Sequence, residues 1–378
     1  MKQKIKRLMD AALESYNQGN LIDAEEVFEK VYEIDKSQYQ AIFNIGVIKF
    51  LNKDFKKAEK FLKEAFELNK SDKYFSSIVD VLLSQNKIKE SKSFIKNYKK
   101  NISIELVSAS KEKIKHQILT NEIVNDYNSR EEYNISENLN LIHRLEKFID
   151  KYPNNFIALK ILGTLLFEKE SNSSEENKTF NKTIKLYEKS YSINNKDVNL
   201  VLKLGSLYTE TLNYKKAIGL YSQGKRSFPD NNLLFFNMGN TYIKMYELKK
   251  GIEEYLKSIK IDTSHFDSYK NLAKAYKDLN EINLANNTYK KMIELDPKDP
   301  SGYRGLGAVN VLESNFSDGE KLLKKSLELD PNNEDALQNL TICYFHSGKT
   351  QKGIISSTKN VGAISFSKNK ELGNYIVI

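Results

Sequence analysis

Cysteine is nearly missing: Cys343 stands alone in 378 residues, which excludes an intramolecular disulfide framework. Proline and glycine are also sparse, at five and 16. Those counts exclude collagen-like and proline-rich chains, and they leave too few turn residues for a sandwich of many short strands. No segment approaches the run of about 18 apolar residues that a membrane span needs. The opening MKQKIKRLMDAAL carries charge but no apolar core of a secretory signal, so a cytoplasmic chain is expected. Arginine is scarce too. Only Arg7, Arg130, Arg144, Arg226 and Arg304 appear among 59 basic residues. A net charge of +9 would permit contact with phosphates or anionic membranes. Lysine, however, lacks the planar fork suited to phosphates and base edges, so this charge argues against specific nucleic-acid recognition.

What remains is 40% hydrophobic and 29% charged, in a chain too long for one ordinary globular core. Apolar surface spread that thinly fits a helical solenoid better than a ball. Internal repetition supports this reading. A small residue recurs every 34 positions at Gly205, Gly239, Ala273 and Gly307, with Thr341 next in register. Twelve residues later a second small column reads Ala217, Gly251, Ala285, Gly319 and Gly353. Tyr221, Tyr255 and Tyr289 keep the same step before Leu323, and a fourth column reads Pro229, Thr263, Pro297 and Pro331.

Spacing within each unit gives two antiparallel helices. Over 232–265, Phe235, Met238, Tyr242 and Met245 follow helical periodicity, and Ile252, Tyr255, Leu256 and Ile259 form a second apolar set. A polar turn at Glu247-Leu248-Lys249 separates them, and the LDP triplets at 295–297 and 329–331 close units, since proline cannot enter a helix interior. Each glycine inside a helix costs about 1 kcal/mol relative to alanine. Six such positions imply a compensating close approach of the paired helix backbones.

The segments FFNMGNTYIKMYELKKGIEEYLKSIKID, SYKNLAKAYKDLNEINLANNTYKKMIELDP and GYRGLGAVNVLESNFSDGEKLLKKSLELDP resemble the tetratricopeptide repeat. The resemblance implies an all-α fold: a right-handed superhelical solenoid of about ten helix hairpins, with a concave groove lined by the first helix of each. It divides the chain into N-terminal units over 1–103, the third of them degenerate, and a divergent helical unit over 104–155 that would serve as a hinge. A C-terminal array follows over 156–367, with a tail or cap at 368–378. Within the array, the polar stretch ESNSSEENKT holds an insertion of eight residues that reads as a mobile loop.

Motifs for chemistry are wanting. SGKT at 347–350 resembles the end of a phosphate-binding loop, but Cys343 stands where that loop needs glycine, and no strand is expected before it. The glycines of GYRGLG at 302–307 are in the wrong order for a dinucleotide fingerprint. His116, His143, His265 and His346 lack partners at metal-ligand spacing, and Cys343 falls on a helical face expected to be buried. The chain is therefore expected to be non-enzymatic, with no cofactor and no metal.

The groove is the remaining candidate. Its geometry nominates Phe236, Asn237, Asn240, Lys244, Lys270, Asn271, Lys274, Arg304 and Asn339 as peptide-binding residues. Asn237, Asn271 and Asn339 share one register place with Asn44, and a carboxamide can both donate to and accept from an extended backbone. They resemble the asparagine ladder of the repeat region in protein O-linked N-acetylglucosamine transferases, although Lys203 and Gly305 interrupt it. A carboxylate clamp like that of chaperone-binding repeats is mostly absent. Asn240 and Asn271 match its amides, but Phe236, Ser301 and Gly305 stand where cations belong, and Arg304 is one residue off.

The expected function is a protein–protein interaction scaffold that holds peptide segments, with the lysines favouring acidic ones. The alternative is the substrate-targeting module of a glycosyltransferase, sulfotransferase or oxygenase, with ELGNYIVI either a cap or the first strand of that domain. A third reading takes the lysines of KIKESKSFIKNYKK at 87–100 to lipid or nucleic acid.

Overall fold

The computed structural model describes residues 1–130, 135–172 and 180–359. Among these residues every regular element is a helix, and the helices pair along the chain. The first pairs are α1 (Lys2–Asn17) with α2 (Leu21–Ile34), α3 (Tyr39–Leu51) with α4 (Phe55–Leu68), and α5 (Asp72–Ser84) with α6 (Ile88–Tyr98). Next come α7 (Ile104–Ser129), twice the usual length, with α8 (Ile135–Lys151), then α9 (Phe156–Ser171) with α10 (Asn181–Ile193). The regular series continues as α11 (Val198–Glu210) and α12 (Tyr214–Ser227), α13 (Asn232–Lys244) and α14 (Leu248–Ile261), and α15 (Phe266–Asp278) and α16 (Ile282–Leu295). It closes with α17 (Pro300–Leu312) and α18 (Phe316–Leu329), and α19 (Glu334–His346) and α20 (Thr350–Lys359).

The chain divides into two compact units, Met1–Ile161 and Leu162–Ile378, so the division falls inside α9, just after the 104–155 segment. Most of the eight-residue insertion and all of the 368–378 tail lie outside the described residues.

Among the described residues eight of the hairpins are closed by the same turn. The second residue after the first helix takes a left-handed conformation at Gly19, Lys53, Asn86, Leu212, Tyr246, Asn280, Ser314 and Gly348. The next N–H then donates back to the carbonyl five residues earlier, as from Asn213 to Tyr208 (2.7 Å) and from Lys349 to Tyr344 (2.8 Å). This satisfies carbonyls that the helix end would otherwise leave open. Gly348 of the SGKT sequence is thus the turn residue between α19 and α20.

Apolar burial is local, as expected of stacked repeats. One cluster spans α1 to α3 around Phe28 and Ile45, another joins Ala273, Tyr289 and Val309 of α15 to α17, and a third joins Leu323 and Cys343. Cys343 is fully buried and its Sγ lies 3.3 Å from the Phe316 carbonyl, the place of a small core residue.

The glycine columns make room chiefly for side chains, where the sequence implied backbone contact. A Cβ on Gly205 or Gly239 would lie 2.4 Å or 2.6 Å from the ring of Tyr221 or Tyr255, sixteen residues on in the second helix. Gly163 meets Tyr187 in the same way, eight residues further along. The second column serves the opposite helix: a Cβ on Gly251 would lie 2.6 Å from Ile243 and 3.3 Å from the Gly239 carbonyl. Another expectation needs correction. Leu256, grouped with the second apolar set, is 45% exposed, while Ser258 is fully buried and pairs with Ser268 at 2.9 Å.

Buried carboxylates tie neighbouring hairpins together. Glu59 takes Lys63 (2.6 Å) and, from the next unit, Lys87 (2.7 Å) and Gln85 (2.8 Å). Glu320 repeats the pattern with Lys324 and Lys349. Burial opposes ionisation of Glu59, yet the ammonium and amide donors prevail and hold its carboxyl at about 2. The two lysines hold Glu320 at about 2 as well.

Candidate functional site

Along the first helices of the second unit, two hollows share the side chains of Asn271 and Lys274 and so form one trough. The first, about 290 Å³, lies across α11, α13 and α15 and is lined by Asn237, Asn240, Lys244, Asn271 and Lys274 among others. The second, about 440 Å³, lies across α15, α17 and α19 and includes Lys270, Lys277, Arg304 and Asn339. Eight of the nine nominated residues therefore converge there.

Phe236 does not join them. Its ring packs edge-on against His265, with centroids 5.0 Å apart, and lies 5.9 Å from Tyr255, half-buried in the core of its hairpin. An apolar ring gains more there than on a solvated amide wall.

The asparagines form a pair rather than a uniform row. Asn240 Oδ1 accepts from the Tyr255 hydroxyl at 2.7 Å and from Asn271 Nδ2 at 2.8 Å. With both lone pairs of that carbonyl occupied, Asn240 presents its NH₂ and Asn271 presents its carbonyl. The two face the trough as one donor and one acceptor, the complement of a peptide unit. At Gly305, in register with Asn237, Asn271 and Asn339, the Tyr289 ring fills the space: a Cβ there would lie 2.1 Å from it.

Charge divides the trough. In the first hollow Lys244 pairs with Glu210 at 2.7 Å, and Asp278 lies in the wall beside Lys274. The second holds Lys270, Lys274, Lys277 and Arg304 against Asp335 alone, and Arg304 takes that carboxylate at 2.8 Å. Its three lysines have no carboxylate within ion-pair distance among the described residues.

In the sequence the tyrosines of the wall stand out only as a column with the 34-residue step. Burial pushes the phenols of Tyr221, Tyr255 and Tyr289 upward, so they stay neutral donors. Tyr187 and Tyr255 find hydrogen-bond partners one residue past the facing glycine: the Thr164 hydroxyl (3.0 Å) and the accepting Asn240 Oδ1. The equivalent Ser206 is too short, and the Tyr221 hydroxyl is buried without a well-formed hydrogen bond. The signal was present in the choice of Tyr over Phe at 187, 221, 255 and 289. Glu210 was missed too, although it precedes Lys244 by one full repeat.

Among the described residues no group of three or more His, Cys, Asp and Glu could hold a metal ion, and no helix is long and apolar enough to cross a membrane.

The family model of the tetratricopeptide repeat matches residues 39–72, which hold one whole hairpin, α3 with α4. The chain is a tetratricopeptide-repeat protein. Its other hairpins repeat that architecture, and residues 249–370 also match the family model of the coatomer epsilon subunit. Among solved structures, yeast Tom70 is 12% identical with a TM-score of 0.43, over 95% of this chain and 92% of that one. MamA from Desulfovibrio magneticus RS-1 is 15% identical with a TM-score of 0.40, over 43% and 93%. YrrB, described as a TPR protein with an unusual peptide-binding site, is 17% identical with a TM-score of 0.40, over 46% and 90%. No curated protein matches the sequence.

Proposed function

We propose that this tetratricopeptide-repeat protein is a non-enzymatic scaffold whose second unit holds an extended, acidic peptide in the trough. The carrying observation is the adjacency of two chemistries along one path. The Asn240 and Asn271 amides offer a donor and an acceptor to a peptide backbone, and next to them Lys270, Lys274 and Lys277 stand unpaired. Amides that pair with backbone bind without regard to sequence, and the cations select acidic side chains and speed encounter. Phe236 takes no part, being packed away from the trough.

The test is fluorescence polarisation with labelled ten-residue peptides, one rich in glutamate and one in lysine. The glutamate peptide binds the wild type in a salt-sensitive manner. Changing Lys270, Lys274 and Lys277 together to glutamate abolishes that binding, and Asn271→Ala weakens it several-fold. Equal binding of both peptides, or full binding by the triple variant, would reject the proposal.

A further inference from the structure

In the first unit, α6 and the long α7 enclose a cleft of about 610 Å³. Its floor is apolar: Ile95 and Ile114 are buried, and Ile118 and Leu119 are half-buried. Its rims are basic. Lys92 and Lys96 rise from α6 and Lys99 from its C-terminal cap, and Lys111 and Lys115 rise from α7.

These lysines follow helical spacing. Residues three and four apart lie on one helix face, so each set forms a rail, and the α6 rail runs about 10 Å, at a rise of about 1.5 Å per residue. All five are exposed, and none has a carboxylate within ion-pair distance among the described residues. No acidic residue lines the cleft. Glu112, one turn before Lys115 on α7, is itself held by Lys151 (2.8 Å) and Tyr152 (2.7 Å). Elsewhere lysines of this chain are paired with acids across neighbouring units, as at Glu59 and Glu320. Five unpaired ammonium groups around an apolar floor repel one another, and acidic groups on both sides of an occupant would relieve that repulsion.

We propose that the α6–α7 cleft is a second docking site, which receives a partner helix that is apolar on one face and acidic on both flanks. Shape selects a helix over a membrane. The apolar floor lies below the lysine rails, where a flat bilayer would meet the ammonium groups and leave the isoleucines untouched. The apolar ridge of a helix reaches into such a cleft, and two turns of it match the length of the rails.

The experiment uses the full chain and a labelled 18-residue helical peptide with leucine on one stripe and glutamate beside it. A second peptide of identical composition has the stripe scrambled. The patterned peptide binds at least tenfold more tightly than the scrambled one and shifts the methyl NMR signals of Ile114, Ile118 and Leu119. Charge reversal at Lys92, Lys96 and Lys115, all exposed and so harmless to folding, weakens patterned binding at least tenfold. The same triple variant binds a lysine-flanked version of the peptide better than the wild type does. Asn271→Ala leaves these results unchanged, which separates this site from the trough. Equal binding of patterned and scrambled peptides would overturn the proposal. So would retention of patterned binding after charge reversal, or binding of phosphatidylserine vesicles or oleate in preference to the peptide.

Discussion

Gly239 offers the sharpest test of how these hairpins hold together. Replacing it with alanine in the middle of α13 raises intrinsic helix propensity by about 1 kcal/mol. The new methyl would stand 2.6 Å from Cε1 and 2.7 Å from Cδ1 of Tyr255. That ring is 1% exposed and its hydroxyl is bound to Asn240, so it cannot retreat without disturbing a filled core and a buried hydrogen bond. Overpacking of this kind costs about 1–3 kcal/mol, and a broken hydrogen bond adds about 1 kcal/mol. The expected net loss is about 1–3 kcal/mol. Gly219 in α12 is the internal control, because a Cβ there meets nothing within 4 Å; Gly219→Ala should gain about 0.5–1 kcal/mol. Thermal melts followed by circular dichroism read both, at about 2–4 °C per kcal/mol for a unit of this size. Hydrogen exchange then localises the loss to α13 and α14. The protein contains its own rescue design: at Ala273 the small column has a methyl, and the Tyr289 ring lies under Gly305 of the next unit. Opening the matching place with Asn271→Gly should cost less in the Gly239→Ala background than in the wild type. A Gly239→Ala protein that melts at or above the wild-type temperature would refute the packing argument.

Other outcomes follow from the same contacts. The carboxyls of Glu59 and Glu320, held at about 2 in the folded state, contribute stability that is fully present above the unfolded value near pH 4.3. That contribution disappears as pH falls toward 2, so the acid sensitivity of the melting temperature between pH 4.5 and 2 should be smaller in the Glu59→Gln/Glu320→Gln protein; an unchanged slope would discount these clamps. Leu212 and Tyr246 hold left-handed turn positions with φ of 60° and 61° and are 70% and 91% exposed. Glycine at either site should raise stability by up to about 1 kcal/mol in urea titration, because the backbone strain removed exceeds the added unfolded-state entropy; a loss at both would count against strain there. Ser206→Asn should supply the Tyr221 hydroxyl with the acceptor that Asn240 gives Tyr255, adding about 1 kcal/mol. Tyr221→Phe in that background would then cost more than it does in the wild type, and equal costs would disprove the new bond.

The repeat period, the two helices of each unit and the small-residue columns were legible in the sequence. Each is set by contacts within about 34 residues, and a local pattern must satisfy local packing before any long-range geometry matters. The trough residues were legible for the same reason, since equivalent positions on successive first helices share one face. Partnership was not legible. Phe236 and Asn237 are adjacent in the chain, yet one ring is drawn to His265 and Tyr255 and the other side chain lines the trough. Asn240 and Asn271 pair across units, and Gly305 proves to be room for Tyr289 rather than a gap in a ladder. The lysines of α6 read alone as a solvated face, and only the return of α7 beside them makes two rails around an apolar floor. Periodicity tells which face a residue occupies, whereas rotamers and the neighbouring unit determine what it touches, and those depend on side chains far away in sequence.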